Sequence, residues 1–100
     1  MKIIYTTLNN TQEARTIGKK LLQNKLANCV NFFPITCIYN YEDQITEEPE
    51  IVLLIKTIEG KFKEIDALIK ENISYNNFIG ELNVDQVNSI FEGWLCEVVK

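Results

Sequence analysis

Apolar positions along the chain follow two rhythms, one strand-like and one helical. The longest unbroken apolar stretch, Ile51-Val52-Leu53-Leu54-Ile55, lies between Glu50 and Lys56-Thr57. It is too short for an amphipathic helix and too apolar for a surface strand, so it reads as a strand buried on both faces. Ile51, Leu53 and Ile55 point one way and Val52 and Leu54 the other. Burying these five side chains contributes roughly 8–15 kcal/mol before chain entropy is subtracted. Lys2–Thr7 is a second, shorter strand rich in β-branched and aromatic residues. Asn10 or Thr11 then caps a helix, with Glu13 in a capping-box relation to Asn10. Ala14, Ile17, Gly18, Leu21 and Leu22 form its apolar stripe, Lys19, Lys20, Gln23 and Lys25 its outer face, and Asn24 its stop.

Leu26–Phe33 is again apolar on both faces and closes at Pro34, which suits an edge strand or a bulge. A second extended piece, Cys37–Tyr41, leads to an acidic turn at Glu42-Asp43-Gln44, and the central run comes back as the other arm of a hairpin. Thr57 is placed to cap a helix over Glu59–Glu71, whose inner face is Phe62, Ile65, Leu68 and Ile69. Asn72–Asn77 is a loop. Phe78–Val84 is a weaker strand in which Gly80 marks a bulge. A last helix starts at Asp85 or Gln86, with Val87, Ile90, Phe91, Trp94, Leu95 and Val98 at helical spacing.

The order β-α-β-β-α-β plus a terminal helix is the α+β, ferredoxin-like arrangement, an antiparallel sheet with a long hairpin between its second and third strands. Right-handed crossovers make the first and third strands central. Two crossover helices cover one face of the sheet, so the other face needs the last helix and a second copy of the chain to shelter it. One hundred residues, 1–100, form a single domain.

Charge narrows the chemistry. The net charge is −4, Arg15 is the only arginine and histidine is absent. No basic face offers itself to nucleic acid, and no phosphate-cradling loop or zinc site is present. An acylphosphatase reading fails because Arg15 sits inside a helix after a turn without glycine. An RNA-binding sheet fails for want of a basic aromatic motif on a central strand. No apolar run reaches membrane-spanning length. Cys29, Cys37 and Cys96 make an odd set without a CxxC pair or a signal peptide, which points to reduced thiols in the cytoplasm.

Cys29 is the candidate metal ligand, since a thiolate suits Cu(I). Lys56, at the end of the central strand, is placed to hold an anion or to pair with Glu48 or Glu50 of a neighbouring copy. Tyr39, Tyr41, Tyr75 and Trp94 are candidates for lining a cleft between copies. The carboxylates Glu42, Asp43, Glu47 and Glu48 lack the ligand spacing of an EF-hand.

Several segments together resemble one family, the divalent-cation tolerance proteins CutA. Ile4-Tyr5-Thr6-Thr7 is similar to its opening strand, and Leu26-Ala27-Asn28-Cys29-Val30-Asn31 with Pro34 to its LAACVN-x-x-P segment. Ile38-Tyr39-Asn40-Tyr41-Glu42 resembles its Y-x-W segment. Glu48-Pro49-Glu50-Ile51-Val52-Leu53-Leu54-Ile55-Lys56-Thr57 resembles its E-x-E-x-x-L-x-I-K-T strand, and Trp94 stands where it keeps a tryptophan. The resemblance implies a homotrimer related in shape to the PII signalling proteins, with hairpins extending neighbours' sheets. It implies tolerance of copper or another divalent cation through binding, with no catalytic cycle and no cofactor needed for folding. The alternative is a PII-like module holding a small ligand between subunits. The chain departs from the pattern before its fourth strand: Tyr75 is kept, but Ile73, Asn76, Phe78 and Ile79 replace the family's His, Glu, Pro and Glu. A metal site built on those side chains is therefore absent.

Overall fold

The computed structural model describes all residues, 1–100. Its elements are β1 (Lys2–Leu8), α1 (Thr11–Gln23), β2 (Cys29–Tyr41), β3 (Gln44–Thr57), α2 (Phe62–Glu71), β4 (Ile79–Asn83) and α3 (Ser89–Val98). The four strands form one antiparallel sheet in the order β2-β3-β1-β4. The aliphatic run of β3 is thus paired on both sides, as its composition demands.

Pairing of β1 with β3 sets Thr6 opposite Leu53 and Leu8 opposite Ile51. Ile4, Leu8, Ile51, Leu53 and Ile55 form the floor of the core, closed by Ala14, Ile17 and Leu21 of α1 and by Ile65 and Ile69 of α2. The opposite face carries Val52, Leu54 and Lys56 beside Tyr5 and Thr7 of β1. Val52 is fully buried there, and Leu95 and Val99 of the C-terminal segment are also buried outside the main cluster. The chain therefore shelters part of its second face by itself.

Local chemistry explains the boundaries. Asn10 Oδ1 accepts from the Glu13 amide at 2.9 Å, capping α1. The Glu13 carboxylate reaches back to the Asn9 amide, one residue before the expected partner. Thr57 is not a cap: its hydroxyl is buried and donates to the Leu26 carbonyl at 2.6 Å, and α2 begins only at Phe62. The last helix also starts later than its apolar spacing suggests. Val84 still bonds the Met1 carbonyl, Asp85 accepts from the Asn83 amide side chain, and no helix forms before Ser89.

Gly80 makes no bulge. It pairs in register with Tyr5, and a Cβ there would meet the Phe78 ring at 2.5 Å. The glycine makes room for Phe78, which packs edge-on against Tyr5.

The largest difference is in β2. It is one continuous strand running through Pro34, which an edge strand tolerates because its outer side has no partner. Beyond Ile51, β3 pairs with β2 alone, so Ile35–Tyr41 and Gln44–Glu50 project as a two-stranded ribbon. Glu42 and Asp43, both at positive φ, close it as a two-residue turn. The ribbon stretches the molecule to 46 × 27 × 21 Å, with a radius of gyration of 14.4 Å against about 13 Å for a compact chain of this length. Ile38 and Ile45 on it are 65% and 81% exposed. An isolated ribbon of this kind is marginal in water.

Candidate functional site

The register of the hairpin decides which side chains meet. Cys29 stands opposite Lys56 and Cys37 opposite Glu48, all on the face away from α1 and α2. Two separate groups follow.

The first lies where the hairpin joins the sheet. The Lys56 ammonium is 3.8 Å from the Cys29 sulfur and lies over the Phe91 ring, 5.3 Å from the centroid. Phe91 packs on Trp94 at 5.4 Å, and the Asn28 side chain donates to the Trp94 carbonyl. Cys29, Lys56 and Trp94 are thus brought together, with Trp94 43% exposed. An ammonium beside the thiol makes this end unfavourable for a second cation.

The second is a groove of about 380 Å³ between the root of the ribbon and the loop before β4. Cys37, Tyr39, Glu48 and Glu50 line its ribbon wall, and Tyr75, Asn77 and Phe78 face them. The loop wall is firmly built. Tyr75 donates to the Glu13 carboxylate at 2.7 Å and accepts from the Asn9 amide. The Asn77 side chain donates to Thr6 and to the Thr7 carbonyl, while Thr6 donates to the Phe78 carbonyl. Burial, followed by the Glu13 carboxylate, pushes the Tyr75 phenol well above its ordinary range. Tyr41 does not line the groove; it lies beside Tyr39 near the exposed turn.

Burial raises the Cys37 thiol, and the Glu50 and Glu48 carboxylates raise it further; burial and Glu48 do the same to the Tyr39 phenol. Cys37 therefore keeps its proton to higher pH than a free thiol. Its alkylation by iodoacetamide at pH 8 should be slower than that of exposed Cys96, and Glu50→Gln should speed it. A peptide-mass time course reads both. Equal Cys37 rates with and without the carboxylate would contradict the electrostatic picture.

No three Cys, Asp or Glu side chains of one chain are grouped to hold a metal ion. The cysteines are all free. Cys29 and Cys37 share a strand face eight residues apart, roughly 26 Å at the rise of a strand. Reading the residues one at a time missed Cys37, Glu50 and Asn77 as groove residues and Phe91 as the seat of Lys56. No helix is long and apolar enough to cross a membrane.

The profile of the CutA1 divalent ion tolerance protein family matches residues 2–98. The divalent-cation tolerance protein CutA of Archaeoglobus fulgidus is 35% identical over 98 residues, covering 97% of this chain and 96% of its own. That of Pyrococcus horikoshii is 34% identical over 101 residues, covering 100% and 99%. Among solved structures, the A. fulgidus protein, described as a periplasmic divalent cation tolerance protein, superposes with a TM-score of 0.94 at 34% identity and full coverage of both chains. The divalent cation tolerance protein of Thermus thermophilus superposes at 0.91 with 31% identity, again over all of both chains.

Proposed function

The chain belongs to the CutA1 divalent ion tolerance family, and from that premise we propose that it is a cytoplasmic homotrimer that binds copper or another divalent cation without catalysing a reaction. The family is named for tolerance and not for a chemical transformation. The observation that carries the reading is the groove: Cys37, Glu48 and Glu50 line one wall, though not grouped closely enough in one chain to hold an ion, and no Lys or Arg is among its lining residues. Carboxylate oxygens suit hard divalent ions and sulfur suits softer ones.

One chain supplies too few donors for a closed shell, so the ion sits where a second copy closes the groove. The ribbon supports that assembly, since Ile38 and Ile45 gain shelter only from another chain. The free cysteines support a reducing compartment. Cys29, the ligand favoured by thiol chemistry alone, is the competing position, and its Lys56 neighbour weighs against it.

Light scattering should give three times the 11.6 kDa chain mass. Calorimetric titration with Cu²⁺ should lose at least about tenfold in affinity, about 1.4 kcal/mol, in a Glu48→Gln, Glu50→Gln variant, and nothing in Cys29→Ser. Unchanged binding in the first variant would remove the groove from the proposal. Loss in the second would move the ion to Cys29. A monomer at micromolar concentration would remove the assembly.

A further inference from the structure

We infer that Cys29 and Lys56 form a reversible, oxidation-dependent covalent clamp between β2 and β3. The two residues are directly opposed on paired strands, and the sulfur and the ammonium nitrogen are already 3.8 Å apart. Both side chains are half-buried, and the ammonium also lies over the Phe91 ring. The other thiols are placed differently. Cys37 lies about 26 Å along the same strand, opposite Glu48, with carboxylates around it. Cys96 is exposed on α3. Cys29 is thus the one thiol with an amine against it. Once oxidised, its nearest nucleophile is nitrogen.

The chemistry balances with hydrogen peroxide as oxidant. The Cys29 sulfur attacks a peroxide oxygen, the O–O bond breaks, and a sulfenic acid and water form; sulfur loses two electrons and the peroxide gains them. A sulfenic acid is trapped by a neighbouring thiol or nitrogen. The Lys56 ammonium gives one proton to water, and its amine attacks the sulfur. The S–N bond forms as the S–O bond breaks, and the second water leaves with a proton from nitrogen. A thiol reductant reverses the step by attack at sulfur, ending in Cys29, Lys56 and a disulfide of the reductant.

The clamp ties the edge strand to the centre of the sheet at the base of the projecting ribbon. It also removes the positive charge that lies over the Phe91 ring of α3. The position thereby couples the oxidation state of one thiol to the seating of the last helix.

The experiment treats the intact protein with hydrogen peroxide, blocks remaining thiols, and maps the unreduced tryptic peptides. The clamp lowers the chain mass by about 2 Da, closes a loop inside one tryptic peptide, because no Lys or Arg lies between Lys25 and Lys56, and abolishes cleavage after Lys56 so that the peptide runs on to Lys61. Dithiothreitol should reverse all three. Cys96→Ser should keep the cross-link. Lys56→Met, which retains the aliphatic stem, should lose it and accumulate Cys29 sulfinic acid instead. A disulfide from Cys29 to Cys96 or to a second chain overturns the inference. So does wild-type Cys29 running on to sulfinic acid with Lys56 still open to trypsin, a result read on the wild type alone.

Discussion

Leu53→Ala should lower the unfolding free energy by about 3–5 kcal/mol. Leu53 is fully buried at the centre of β3, opposite Thr6 on one side and Phe32 on the other. Ile17 and Leu21 of α1 and Ile65 and Ile69 of α2 belong to the same cluster. Truncation removes the transfer free energy of the lost methyl groups and leaves a cavity. Strands paired on both sides cannot slide in to fill it. Against a domain stability of about 5–15 kcal/mol, this one change removes a large share. Urea denaturation at fixed protein concentration checks it, with the midpoint falling and the slope unchanged. A loss under about 1 kcal/mol would mean that the site repacks and that β3 is not the rigid centre of the fold.

The legibility of the chain varied with the range of the forces involved. The apolar run at Ile51–Ile55 announced a strand buried on both faces because period and composition agree there, and the sheet order places it so. Asn10 announced a cap because the donor it satisfies is three residues away. Thr57 misled for the same local reason: it sits before an apolar helical stripe, yet its hydroxyl answers the buried Leu26 carbonyl, 31 residues back. The start of α3 was hidden in the same way by the bond from Val84 to Met1.

The site was less legible than the fold, and one feature accounts for much of that. Placing the hairpin turn on three residues, Glu42-Asp43-Gln44, leaves the register open. The actual two-residue turn at Glu42 and Asp43 pairs Tyr41 with Gln44, and counting down both arms then pairs Cys37 with Glu48 and Cys29 with Lys56. Neither residue of that turn is the Asn or Gly that positive φ favours, so the usual signal was missing. The groove's other wall depends on Tyr75 meeting Glu13 across 62 residues, which no spacing rule reports.

Val52→Asp should be at least as damaging as Leu53→Ala at pH 7, and its pH dependence says why. Val52 points to the face that α1 and α2 leave open, yet it has no exposure, flanked on that face by Thr7 and Phe33. A carboxylate there loses its water without gaining a cation, since Lys56 lies four residues along the strand, roughly 13 Å away. Loss of the valine contributes about 2 kcal/mol and the unpaired charge several more, so about 4–6 kcal/mol in total. Desolvation raises the folded-state pKa of the introduced carboxyl above its unfolded value of about 4. The deficit is then smallest below about pH 4, where both states hold the proton, and grows as pH rises from there towards the folded pKa, above which it is fully present. Val52→Ala, with no charge, should lose about 2 kcal/mol at every pH relative to the parent. Denaturation of the three proteins at pH 4 and pH 7 separates the terms. If the carboxylate variant tracked the alanine variant at both, water would reach position 52, and the second face of the central strand would be wet rather than sealed.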